Sequence, residues 1–221
     1  MEKRKKLAAL CWSLLILLVF LFGWLLEASS TRDAKLLHDL GLLESSGRGY
    51  ELDRPMSRGE ASLLFVRLLG AEQEAASGHW AHPFTDVPAW AEQSIGYLFC
   101  KGLAKGMTET LYCPEEACTP QMYAVFVLRA LGYSEKVGDF TYDSALSLAR
   151  SLGLLPEGLS GEEAFLRDYA MAVSVIALSA PLKDGSMHLF DKLLRAGAIP
   201  PEAAEQYPEL SMFGEAHVES F

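Results

Sequence analysis

Ser57-Arg-Gly-Glu-Ala-Ser-Leu-Leu-Phe-Val-Arg67-Leu-Leu-Gly70 can be laid residue for residue on Thr119-Pro-Gln-Met-Tyr-Ala-Val-Phe-Val-Leu-Arg129-Ala-Leu-Gly132. With Arg58 set against Pro120, Arg67 and Arg129 fall at one common offset and Gly70 and Gly132 at another. Ser57 is a good N-cap and Glu60 stands three residues later, which makes a capping box; Thr119 is also an N-cap, followed by Pro120 at the first helical position. Apolar residues then run through Leu63, Leu64, Val66, Leu68 and Leu69, or through Val125, Phe126, Leu128 and Leu131. A glycine past the last apolar residue ends each segment, so each reads as a mostly buried helix of about three turns.

Working outward, a helix closing in Gly-Leu precedes each segment. Leu37, Leu40, Gly41 and Leu42 form one copy, Leu98, Gly102 and Leu103 a second, and Leu152, Gly153 and Leu154 a third. The third copy leads to Phe165-Leu-Arg167-Asp-Tyr169 and the apolar stretch 170–178, making Arg167 the counterpart of Arg58 and Pro120. Units of this size must stack on neighbours to bury their apolar faces. The predicted fold is all-α, mainly helical with short loops: three helix-loop-helix repeats at 31–76, 84–133 and 138–199, the last with an extra C-terminal helix. Residues 77–83 read as a linker, within a polar stretch beginning at 71, and the Pro-led acidic tail 200–221 reads as flexible.

The N-terminus has a different character. Lys3, Arg4, Lys5 and Lys6 precede an uncharged apolar run at 7–26, long enough at about 1.5 Å per residue to span a bilayer core. Residues 1–28 therefore direct export, either as a retained transmembrane anchor or as a signal peptide cleaved after Ala28. The whole chain carries a net charge of −10. Setting aside the four basic residues and Glu2 leaves −13 for the exported part. That field disfavours nucleic acid, so an anionic ligand must be held by a local basic pocket. Half of the 221 residues are hydrophobic, which supports a real core.

Of the four cysteines, Cys11 lies in the apolar run, and Cys113 and Cys118 flank a short loop across which a disulfide can close, leaving Cys100 as a lone buried thiol. The spacing is a weak match to zinc ligation, and no metal or cofactor is expected.

Phe84-Thr-Asp86-Val-Pro-Ala-Trp90-Ala91, followed by Ile95, Leu98, Gly102 and Gly106, then Pro114 and Thr119, resembles the S-layer homology (SLH) repeat. Met56-Ser57-Arg58-Gly59-Glu60 is similar to the box that opens that repeat's second helix. The resemblance covers residues 31 to 199. It implies a pseudo-threefold array of three repeats that binds anionic, often pyruvylated, secondary cell-wall polysaccharide without covalent chemistry. By position it carries over Arg58 and Glu60 in the first repeat, Asp86, Trp90 and Gly106 in the second, and Arg167 in the third as glycan-binding candidates. The repeats also depart from the pattern: the first lacks the Phe-x-Asp-Val opening, Pro120 replaces the box arginine in the second, and Tyr169 replaces the final box glutamate in the third.

Each candidate has a structural reading beside the functional one. Glu60 serves the capping box, Asp86 can cap the helix after Trp90, and Trp90 can be core. Arg58 and Arg167 are the most informative, because capping does not require arginine at the first helical position, and a guanidinium fork fits a carboxylate bidentately. Arg67 and Arg129 sit late in their helices, where a cation meets the negative end of the dipole. No nucleophile elbow, metalloprotease motif or phosphate loop occurs, so a non-catalytic surface protein is expected, with a protein-interaction or scaffolding module as the alternative.

Overall fold

The computed structural model describes residues 31–45, 47–156, 159 and 164–215. The apolar segment at 7–26 lies outside them. Among the described residues no helix is long and apolar enough to cross a membrane. The fold is all-α, with isolated β-bridges but no strand in this range.

Three helices begin at the corresponding positions: α2 (Arg58–Leu69), α5 (Pro120–Ala130) and α7 (Arg167–Leu178). Ser57 Oγ accepts from the Glu60 amide at 3.2 Å while the Glu60 carboxylate accepts from the Ser57 amide at 3.0 Å, closing the expected box. Thr119 caps α5 through the Met122 amide. Helix α7 has no side-chain cap at Leu166. The unpaired amides of the first turns are instead satisfied between segments: Arg58 N–H donates to the Glu116 carbonyl, Gly59 N–H to Pro114, Arg167 N–H to Arg54 and Asp168 N–H to Leu52. Bridges Ser57–Ala117 and Pro55–Leu166 belong to the same bracing, so the segment before α2 joins the approaches to both α5 and α7.

The helices that precede these, α1 (residues 31–39), α4 (Glu92–Cys100) and α6 (Ala145–Ser151), end alike. Gly41, Gly102 and Gly153 have φ of 76°, 67° and 70°, and the next leucine's amide reaches back five residues, Leu42 to Leu37, Leu103 to Leu98 and Leu154 to Ala149. A residue without Cβ adopts that left-handed turn without strain, which is why each closure is Gly-Leu. Helix α2 packs on α4 and α5, α5 on α6 and α7, and α8 (Leu189–Arg195) touches both α7 and α2. Leu37, Leu40, Phe65, Leu68, Ile95, Leu98, Leu128 and Phe190 fill the interior, with Phe65 and Phe126 stacked at 4.5 Å between centroids.

Four expectations are corrected. The polar stretch after Gly70 holds a short helix, α3 (Glu72–Ser77), and the linker beyond it is pinned by Trp80, whose Nε1 donates to the Ala75 carbonyl at 2.8 Å and whose ring meets Tyr97 edge-on. The tail, expected to be flexible over 200–221, is helical in its described part, 200–215. It forms α9 (Pro201–Ala204) and α10 (Pro208–Glu215), because its prolines start helices and Ala203, Ala204 and Leu210 reach the core. The Tyr207 hydroxyl donates to Asp39 on α1; residues 216–221 lie outside the described range. Cys113 and Cys118 are free thiols, not a disulfide: Cys113 sits at φ 59° in the loop while Cys118 turns into the core. Cys100, expected to be buried, is exposed.

Candidate functional site

The two box arginines stand at the first positions of α2 and α7, and their side chains run alike into the loop of a different unit. Arg58, 9% exposed, donates from Nε to the Tyr112 carbonyl at 3.1 Å and from Nη2 to the Lys105 carbonyl at 3.4 Å, with its guanidinium 4.8 Å from the Tyr112 ring centroid. Arg167, 7% exposed, donates from Nε to the Tyr50 carbonyl at 2.8 Å. Arg167 Nη1 also approaches a methionine sulfur, that of Met56 at 3.8 Å, and beyond this the two differ.

Arg167 Nη1 lies 2.9 Å from the Glu60 carboxylate, which also holds Arg54. Burial pushes the Glu60 carboxyl up, but the Arg54 hydrogen bond, the Ser57 amide and the Arg167 charge outweigh burial and hold it below its ordinary value. Arg58 Nη1 meets instead the Met122 sulfur at 3.2 Å. Met122 is the third residue of α5, as Glu60 is the third of α2. Among the described residues Arg58 has no ion-pair partner. A nearly buried guanidinium with two carbonyls, a sulfur and a ring around it, and with Asp86 acting on it only from beyond ion-pair distance, can still pair with an incoming anion.

That guanidinium opens on a groove of about 400 Å³ lined by Arg58, Lys105, Gly106, Met122, Phe126 and Tyr142. Arg129 on the far wall is paired with Glu135 and donates to the Leu103 carbonyl, so its charge is committed. Gly106 is dictated by contact: a Cβ there would stand 2.4 Å from Phe84 Cε1, 2.4 Å from the Thr108 carbonyl and 2.7 Å from the Leu111 carbonyl. The close loop that results keeps the wall behind the Lys105 carbonyl fixed. Asp86 works behind the same wall. Its two carboxylate oxygens accept from the Tyr112 and Cys113 amides at 2.8 Å each. Burial raises the Asp86 carboxyl, and those two amides, its own amide and the nearby charge of Arg58 bring it below its ordinary value. Asp86 therefore clips the loop under Arg58 and is not the cap of α4, which starts at Glu92 after Ala91 with no side-chain cap.

Trp90 is not core. It is 49% exposed, and it lies against Gly59, where a Cβ would come within 2.6 Å of Trp90 Cη2. Trp90, Glu60 and Arg167 line a second groove of about 250 Å³, together with Met56, Leu63 and Arg67. Arg67 there is paired with Glu44 and Glu72. The six candidates thus divide: Arg58 and Gly106 with Asp86 behind them in one groove, Glu60, Trp90 and Arg167 in the other. Lys105, Tyr112, Met122 and Tyr142 were not singled out from sequence. Met122 carried a signal, standing at the glutamate position of the box; Tyr142, arriving from the turn at Tyr142–Ser144, carried none. No cluster of three or more metal-ligating side chains occurs among the described residues.

No protein-family model matches the chain. It is 28% identical over 132 residues to the middle cell wall protein of Brevibacillus brevis and 26% identical over 132 residues to the surface layer protein of Brevibacillus choshinensis; each match covers 58% of this chain and 12% of the relative. Cell surface glycoprotein 1 of Acetivibrio thermocellus is 32% identical over 84 residues, 37% of this chain and 4% of that protein. The chain is therefore similar to small parts of much longer cell-surface and surface-layer proteins.

Proposed function

We propose that this chain is a non-catalytic cell-surface protein whose three SLH-like repeats form a ring and bind an anionic polysaccharide of the cell wall through the Arg58 groove. One observation carries the reading: Arg58 is a nearly buried cation facing an open groove without a carboxylate partner, whereas Arg167 has one. A carboxylate-bearing sugar supplies the missing charge bidentately, and the apolar walls at Met122 and Phe126 exclude water and strengthen the pair. The relatives, all named for the cell surface, wall or surface layer, support the location. If the segment at 7–26 remains in the membrane, the protein ties membrane to wall.

The test is retention of the full chain on purified cell wall before and after extraction of the secondary polysaccharide, for the wild type, Arg58→Gln and Met122→Glu. Retention should need the polymer and fall in both variants, since Met122→Glu gives Arg58 an internal counter-ion without removing it. Equal retention on stripped and intact wall refutes the reading.

A further inference from the structure

Between α3 and α4 the linker buries an imidazole. The His82 side chain is only 4% exposed, and its two nitrogens face different partners. Nδ1 accepts from the Phe84 amide at 3.2 Å, so in the neutral ring the proton sits on Nε2. Nε2 stands 3.1 Å from a Glu92 carboxylate oxygen but makes no aligned hydrogen bond to it. The ring is wedged in place: Phe84 stacks on it at 5.3 Å between centroids, and a Cβ on Gly96 of α4 would lie 3.2 Å from His82 Cδ2. Elsewhere on α3 and α4 the titratable groups are committed: Lys101 and the Tyr97 hydroxyl to Glu74, Glu72 to Arg67, and the Cys100 thiol to the Ala81 carbonyl. His79 on the linker is exposed. Glu92 is left as the charge that faces the imidazole.

A second proton changes which partner His82 can keep. Protonated Nδ1 is a donor aimed at the Phe84 N–H, another donor, while the positive ring gains attraction to Glu92. The neutral ring therefore holds Phe84, and the charged ring is drawn to Glu92. Phe84 is also the inner support of the Arg58 groove. It packs on Phe99 at 5.1 Å and on Tyr112 at 5.4 Å between centroids, its ring edge lies against Gly106, and the Thr85 amide beside it donates to the Thr110 carbonyl. Lys105 and Tyr112, on that same loop, supply the carbonyls that hold Arg58.

We propose that His82 is a proton-operated latch: neutral, it fastens Phe84 and through it the loop 105–112; in mild acid it exchanges Phe84 for Glu92 and loosens that wall of the Arg58 groove. Imidazole is the side chain whose charge changes between about pH 5 and 8, a range that separates this device from Glu60, whose carboxyl titrates in stronger acid. The latch itself needs no ligand; its effect on binding rests on the polysaccharide reading above.

The experiment follows amide hydrogen exchange over 84–86 and 105–113 in the full chain at about pH 8 and about pH 5.5, corrected for the intrinsic effect of pH, beside retention on purified cell wall. In the wild type, acid should raise opening of the loop about fivefold, the scale of one net hydrogen bond, and lower retention by a similar factor. His82→Asn places an oxygen where Nδ1 stands and does not titrate, so both readouts should become independent of pH; this also separates His82 from the other four histidines. Glu92→Gln, at a half-exposed position, removes the charge that draws the imidazolium, so opening should need a lower pH, and this variant carries the test even where the asparagine variant does not fold. Equal exchange at both pH values in the wild type, an acid response that survives in His82→Asn, or an unshifted response in Glu92→Gln overturns the latch. Exchange that rises while retention holds overturns its link to the groove. Retention absent at both pH values, with the exchange results intact, overturns the polysaccharide reading instead and leaves the latch standing.

Discussion

Replacing Asp86 with alanine separates a structural clip from a ligand contact. The carboxylate receives two backbone amides, from Tyr112 and Cys113, both at 2.8 Å, and so holds the loop on either side of the Tyr112–Cys113 peptide, where Cys113 sits at φ 59°. A hydrogen bond to a charged acceptor contributes about 1.5–3 kcal/mol, and Asp86 is only partly buried, so the low end applies to each bond and the pair is worth about 3 kcal/mol. For a domain of this size about 2–4 °C accompanies each kcal/mol, which places the loss in thermal midpoint near 6–12 °C. Asp86→Asn retains one acceptor and turns an amide toward the other donor, so it should recover less than half of the loss. Circular dichroism melts of the two variants read this directly. Because the Tyr112 carbonyl also holds Arg58 Nε, the alanine variant should lose wall retention together with stability. A midpoint within about 2 °C of wild type, with retention gone, would refute the clip and make Asp86 a ligand contact.

Three further outcomes follow from the same geometry. Glu60 has a folded-state carboxyl below its unfolded value of 4.5, so its contribution is present above that pH and is lost as pH falls through the lower folded value; urea titrations should show wild type and Glu60→Gln differing at pH 7 and converging in acid. Gly106→Ala drives a Cβ against the Thr108 and Leu111 carbonyls, which cannot swing aside as a side chain can, and should cost about 1–3 kcal/mol in a denaturant melt. Burial pushes the Cys118 thiol up to about 12, so a thiol reagent at neutral pH should label Cys100 in the folded chain and reach Cys118 only in denaturant.

What could be read from the residues was whatever depended on local chemistry. Ser57 and Glu60, Thr119 and Pro120, and the Gly-Leu closures at Gly41, Gly102 and Gly153 are caps whose partners lie within a few positions, and all of them formed as expected. What depended on distant packing was not legible. Asp86 stands before a helix in sequence and suits a cap, but its partners are 26 and 27 residues away in another loop. Trp90 suits a core by composition, yet Gly59 leaves it a seat on the surface. The tail after Pro200 is acidic on average, and only a surface to dock on, supplied by α8 and by Asp39, reveals that Ala203, Ala204, Tyr207 and Leu210 form one apolar side. Averages over a segment erase such a side; positions preserve it.

The first and third residues of the box helices explain why divergence among the repeats need not mean decay. The first position reaches across to the third position of a different unit: Arg167 to Glu60, and Arg58 to Met122. Changing the third residue of one unit therefore sets the charge of a groove whose arginine belongs to another. A glutamate there gives the arginine an ion-pair partner; a methionine there fills similar space, satisfies the guanidinium weakly, and leaves it without one. Pro120, lacking a side-chain cation, removes the same choice from the remaining unit, where Tyr169 holds the third position of α7. Departures from the repeat pattern at Pro120, Met122 and Tyr169 are thus what make the grooves unlike one another, and the one substitution that matters most for an anion is the one that removed a carboxylate, Met122, rather than any that kept an arginine.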